Sequence, residues 1–321
     1  MKALILRSAP FALFILFLGM APFFLPDGDL HLATEIFVII VISSMWNLLA
    51  GYAGLVSLGH QMYFGAGGYV LYMVANATGF HPYTGIVAAF LFGGLAACVI
   101  APLLFRLRDA YFAIASWVLA EMVSIAVQKT DALGGITGLS LIDMSVIDFA
   151  RFETDLFLMG GAMVLITLCG SLWLLRSRLG LGLMCVRDNE RASQAIGVDV
   201  WPNRFFAYVL SAAGCAAAGG LSLLGGLVVQ PGNAFSPEWT VAMTFVVVVG
   251  GIGTLEGPVV GALIYYGLRQ LLTVVFPLPG TWYLVAMGIV AVATMLYAPK
   301  GLWPFIRDRF GVNWLSTRRA M

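Results

Sequence analysis

The sequence predicts an all-α protein that crosses a membrane about ten times, and three observations carry that prediction. Hydrophobic residues make up 61% of the 321-residue chain and charged residues only 10%, with a mean hydropathy of +0.95. That leaves too little polar surface to cover a soluble globule. The apolar residues fall in runs of about 17 to 25, each long enough to cross the hydrocarbon core as a helix with its backbone groups paired internally. Basic residues, finally, gather on one side of this succession of runs.

The predicted spans are 9–25, 32–50, 59–76, 83–104, 110–128, 156–175, 205–228, 239–253, 257–276 and 282–298. The first follows Lys2 and Arg7 and has the outline of a secretory signal, but Ala21-Pro22-Phe23 is a poor cleavage site, so the run is read as a span. Spans two and three are separated by GYAGLVSLGH at 51–60, and spans four and five flank Arg106 and Arg108. The segment 129–155 is an external loop, an acidic cap that holds Asp131, Asp143, Asp148, Glu153 and Asp155 against two basic residues. It is solvated, and as a whole it offers a surface to an external partner. The segment 176–204 places five arginines and three acids between two uncharged runs and must be in water. The shortness of 239–253 leaves open a re-entrant pair with 257–276, which makes the range eight to ten spans.

Orientation follows from charge. With both termini cytoplasmic, Lys2, Arg7, Arg106, Arg108, Arg176, Arg178, Arg187, Arg191, Arg204, Lys300, Arg307, Arg309, Arg318 and Arg319 fall inside, and only Lys129, Arg151 and Arg269 lie elsewhere.

Several functions have no support in the sequence. The lysines are Lys2, Lys129 and Lys300, and none sits in a G-x-x-x-x-G-K-[ST] phosphate loop, so this chain does not itself hydrolyse ATP through one. No H-E-x-x-H helix or G-x-S-x-G elbow supports hydrolysis. Cys98, Cys169, Cys185 and Cys215 lack C-x-x-C spacing and an external position, so neither a disulfide framework nor a metal site is expected. The net charge of +1 gives no hint of nucleic acid.

Within 176–204 the pattern reads as a short helix with Asp188 as N-cap, Ala192, Ala195 and Ile196 on one face, and Gly197 as its stop. Such a helix suits docking; the alternative is a loop whose arginines only set topology. Two glycine breaks lie at comparable depth on the inner side, one at 51–60 and one, GGIGTLEGPVVGA, at 250–262. Such breaks line pathways or let helices pack closely. They make Gly51, Gly54, Gly250, Gly251 and Gly253 candidate pathway residues, together with the polar residues Asn47, Ser57 and His60. His60 reads better as a helix cap or loop anchor than as a proton relay. Glu121, in the middle of a span, is either a functional carboxylate or a hydrogen-bonding tie between helices.

Five segments in order, GYAGLVSLGHQMYFGAGGYV at 51–70, LRDAYFAIASWVLAEM at 107–122, GGITGLS at 134–140, SRLGLGLMCVRDNERASQAIGVDV at 177–200 and PGNAFSPEWTVAMTFVVVVGGIGTLEGPVVGA at 231–262, resemble signature segments of the inner-membrane permeases of branched-chain amino acid ABC transporters. The resemblance covers about residues 35–300. It implies one transmembrane permease domain over 1–321 in a bacterial inner membrane, working with a second related permease, two cytoplasmic ATPase subunits that hydrolyse the ATP, and a periplasmic substrate-binding protein. No cofactor is expected on this chain. Residues 186–198 then resemble the coupling helix that sits in the ATPase cleft, with Arg187, Asp188, Asn189, Glu190, Arg191, Ala192, Ala195, Ile196 and Gly197 as its docking residues. The sequence departs from the family at Asp109-Ala110, where relatives often carry glycine and a small apolar residue, and at the deep Arg269. Urea and short amides are carried by related permeases, and a self-contained proton-coupled carrier using Glu121 is the competing class.

Overall fold

The computed structural model describes residues 2–142, 147–275 and 282–310; Asp143, Arg318 and Arg319 lie outside the described residues. The chain is an all-α bundle. In order it forms α1 (Lys2–Phe24), α2 (Asp27–Asn47) continuing into a π turn at Leu48–Tyr52, α3 (Gln61–Thr78), α4 (Thr84–Leu104) and α5 (Asp109–Gln128). A two-residue strand β1 (Leu139–Ser140) precedes α6 (Phe152–Arg176), α7 (Arg178–Asp188), α8 (Glu190–Ala195) and α9 (Val200–Gly225). The second strand β2 (Val228–Val229) is followed by α10 (Pro231–Ala234), α11 (Glu238–Gly250), α12 (Gly257–Gln270), α13 (Trp282–Tyr297) and α14 (Leu302–Phe310). β1 and β2 pair antiparallel, Leu139 opposite Val229.

Five of these helices are long and apolar enough to cross a membrane: α2 with its π turn, α4, α5, α6 and α9. About ten full spans are therefore not confirmed among the described residues. The pair expected at 239–253 and 257–276 is unequal. α11 has 13 residues, about 20 Å against the roughly 30 Å of a hydrocarbon core, whereas α12 has 14 and runs on as a π-helical stretch over Leu271–Val275. They form a hairpin around 251–256, where Gly251 takes a φ of 134° that a side chain would disfavour.

The bundle is organised inside out relative to a soluble protein. On α4, the small residues Gly85, Ala89, Gly93, Ala97 and Ala101 recur every four positions and are buried, while Val87, Leu91, Leu95, Val99 and Leu103 recur with the same period and are exposed. Small residues let backbones approach closely, which is how helices gain packing energy in lipid. α9 is the hub: Ala212 through Gly220 are all buried, and α3 and α4 pack along it. A Cβ on Gly67 of α3 would overlap the Ala216 carbonyl, and one on Gly219 of α9 would overlap that of Phe64. α3, α4 and α9 thus touch backbone to backbone.

One end of the bundle gathers α7, α8, the π turn, the 251–256 bend and α14. At the other end, Asn76 of α3 donates to the Ser140 carbonyl and Tyr83 donates to Asp155 at 3.1 Å, which fastens the 129–155 segment to the bundle.

Candidate functional site

The charged segment after α6 folds as two short helices rather than one. Ser177 caps α7, accepting from the Gly180 amide, and α7 runs to Asp188. Asn189 then takes an extended backbone (φ −159°, ψ 105°), and its Oδ1 accepts from the Ala192 amide at 3.0 Å, starting α8. The expected cap at Asp188 is corrected to Asn189. A cap needs non-helical dihedrals, which residue 189 has, and the Asp188 carboxylate is held by Arg187 at 2.8 Å. α8 stops as expected at Gly197 (φ 83°): the Gly197 amide donates to Gln194 and the Val198 amide to Ser193, the paired bonds of a Schellman ending.

The faces of α8 are unequal. Ser193 is buried and donates to the Asn189 carbonyl, and Glu190 pairs with Arg204 of α9 at 3.0 Å. Ala192, Ala195 and Ile196 face out, as does Arg191, and Ile196 is 73% exposed.

Arg187 turns inward. Its Nη1 donates to the Gly51 carbonyl at 2.9 Å, in the π turn that ends α2, and its backbone lies against Gly54. The second break meets the first through Asn47. This buried amide accepts from the Gly253 amide at 2.9 Å and donates to the Thr254 carbonyl at 2.8 Å. Gly51 must be glycine here, because a Cβ would overlap Asn47 Oδ1 and lie 2.6 Å from the Gly253 nitrogen. Gly250 and Gly251 are buried in the same joint, Gly250 against Gly257 and Gly251 against Lys300 and Pro304 at the start of α14. Two breaks about two hundred residues apart in sequence and the α7–α8 segment therefore form one junction.

Ser57 and His60 form a neighbouring anchor. His60 is buried between the Ser57 hydroxyl (2.9 Å) and the Ser211 hydroxyl of α9 (2.8 Å), and Ser211 donates on to the Met45 carbonyl of α2. It holds the extended 53–60 segment in place but makes no side-chain cap on α3. Glu121 stands apart. It is half-buried on α5, makes no hydrogen bond or ion pair with the described residues, and so lacks the partner that a tie between helices requires.

A cavity of about 940 Å³ opens beside the junction, between the α4–α5 turn, α8 and the start of α9, and Gly54, Glu190, Gly197 and Trp201 line it. Asp109 sits on its rim with φ 47°, a left-handed conformation that favours glycine. A second cavity of about 420 Å³ opens at the opposite end.

A model of the family described as the permease component of the branched-chain amino acid transport system matches residues 30–295. The chain belongs to that family. It is 24% identical over 314 residues to the high-affinity branched-chain amino acid transport system permease protein LivM of Salmonella typhimurium, covering 90% of this chain and 73% of that protein, and equally to LivM of Escherichia coli. It is also 24% identical over 271 residues to a probable branched-chain amino acid transport permease protein, LivH, of Methanocaldococcus jannaschii, covering 79% of this chain and 82% of that protein. Among solved structures it is similar to a chain of PsaBC from Streptococcus pneumoniae, solved in complex with a Fab, at 14% identity and a TM-score of 0.49 over 93% of this chain and 99% of that one.

Sequence reasoning located the two breaks and the helix stop. It missed the cap at Asn189, although an Asn directly before Glu190 is a capping signal, and the role of Thr254, whose hydroxyl accepts from the Gly257 amide at the start of α12.

Proposed function

We propose that this multi-pass membrane protein is the permease subunit of an ATP-driven importer for branched-chain or other small apolar amino acids, working by alternating access. In this reading a second related permease, two cytoplasmic ATPases and a periplasmic binding protein complete the transporter, and the partner ATPases hydrolyse the ATP. Both termini are cytoplasmic in a bacterial inner membrane, the 129–155 segment is external, and the ten apolar runs make eight to ten passages. The clustering of Arg108, Arg187, Arg204 and Lys300 near the α8 end supports that orientation.

The observation that carries the reading is the connection of α8 to the two breaks. α8 presents Ala192, Ala195 and Ile196 to a partner, while Arg187 at the end of α7 holds the Gly51 carbonyl and Asn47 joins that turn to Gly253. A push on α8 would reach the ends of α2, α11 and α12 together, and these are the elements with irregular, bendable backbone. Binding energy at the docked face is thereby converted into helix displacement. A proton-coupled carrier has no need of this connection, and Glu121 lines neither large cavity.

The test is reconstitution. Uptake should require the ATPases and binding protein, and single-cysteine labelling should reach residue 196 only from the ATP side and residue 136 only from the other. Uptake by this chain alone under a proton gradient would overturn the reading.

A further inference from the structure

The cavity at the end away from α8 has a polar rim and an apolar floor. Glu35 lies eight residues into α2, about 12 Å below its start, Arg269 lies one residue before α12 passes into the π-helical stretch Leu271–Val275, and Glu238 opens α11. These three charges share the mouth. One turn or so deeper on the helices stand Val38 and Ile39 of α2, Leu221 of α9 and Ala242 of α11, all buried.

The charged groups are close without saturating one another. Arg269 Nη1 is 3.7 Å from Glu35 Oε2 and His31 Nε2 is 3.8 Å from Glu35 Oε1, both beyond hydrogen-bond length, and the Arg269 and Glu35 side chains are 43% and 42% exposed. The Arg269 guanidinium is held from below by the Tyr266 ring, 5.7 Å from its centroid. Tyr266 supplies an independent sign of a ligand: it lines the cavity, and its hydroxyl is buried with no hydrogen-bond partner among the described residues. An unpaired buried hydroxyl costs free energy that a bound polar group would recover.

We infer that this cavity is a binding subsite for a free α-amino acid with a compact apolar side chain. Arg269 receives the carboxylate with the Tyr266 hydroxyl as second donor, Glu35 receives the ammonium, and the floor takes the side chain. Its volume of about 420 Å³ falls in the lower part of the range for small-ligand sites. Charges of opposite sign over an apolar floor select a zwitterion against urea or an amide, which would leave both charges unmatched. The inference deepens the proposed function and rests on it.

The experiment uses the complete transporter in nanodiscs, without binding protein, titrated with leucine and read by intrinsic fluorescence. Trp239 lines the cavity, so the change should saturate and should vanish in Trp239→Phe. Isoamylamine, which is leucine without the carboxylate, and 4-methylpentanoate, which is leucine without the ammonium, should fail to compete. Arg269→Gln and Glu35→Gln should each weaken leucine binding at least about tenfold, equivalent to roughly 1.4 kcal/mol. The two analogues test the unmodified protein, so the result does not depend on the variants folding. Equal competition by either analogue, or leucine uptake by the wild type with no saturable fluorescence change, would overturn the subsite while leaving the importer reading intact. Failure of the wild type with its binding protein to take up any amino acid would overturn the importer reading itself.

Discussion

Replacing Arg187 by glutamine removes one charged hydrogen bond that joins the α7–α8 segment to the π turn, the 2.9 Å contact to the Gly51 carbonyl. A hydrogen bond to a charged group is worth about 1.5–3 kcal/mol. The Asp188 pair adds little, because both partners are substantially exposed and adjacent in sequence, so its share is about 0–1 kcal/mol and does not cross between segments. Taking the low end for a part-exposed bond, about 1.5 kcal/mol of connection is lost, or roughly tenfold in any equilibrium that depends on it. Solute moved per ATP hydrolysed, measured in proteoliposomes with ATPases and binding protein, should fall by about that factor. Co-purification of the ATPase should persist, because the guanidinium is engaged with the Gly51 carbonyl and Asp188 and stands apart from the outward face of α8, whereas Ile196→Asp on that face should abolish it. Wild-type coupling in Arg187→Gln, or a loss of ATPase association as complete as that of Ile196→Asp, would refute the strut role.

Gly197→Pro should both uncouple and weaken docking without affecting membrane insertion, since proline cannot take a φ of 83° and removes the amide that bonds Gln194; co-purification and membrane fractionation read the two effects. Asn47→Ala should lower the melting temperature of the solubilised protein, because the Gly253 amide and Thr254 carbonyl are left unpaired at roughly 1–3 kcal/mol each. Glu121→Gln should leave ATP-driven uptake measurable, because the carboxylate serves no bond in the junction and lines neither large cavity; loss of uptake with normal assembly would restore Glu121 to the pathway.

What the sequence made legible is what depends on neighbours along the chain. The apolar runs and the stop at Gly197 follow from period and local conformation. The cap was misplaced by one residue because Asp and Asn cap equally well, and the choice fell to Arg187, which occupies the aspartate. The direction of Arg187 was not legible, since its acceptor lies 136 residues away. Asn47 was singled out for its polarity at depth, but its partners are more than 200 residues distant. Arg269 was visible as a deep cation, while Glu35, its neighbour in space at 3.7 Å, was not singled out. Patterns name candidates; only the fold shows which of them meet.

The interlock of α3, α4 and α9 has a thermodynamic signature unlike that of a soluble core. Pulling α4 from α9 inside a bilayer would expose glycine and alanine faces to lipid tails, not to water. Heat-capacity increments on unfolding come from apolar surface meeting water, so this separation carries almost none. Its enthalpy and entropy should then hardly change with temperature, so its free energy follows a straight line instead of a dome, without the weakening on cooling that water-driven cores undergo. Cohesion there depends on how closely the backbones approach, and a single methyl group on Gly67 or Gly219 would hold them apart.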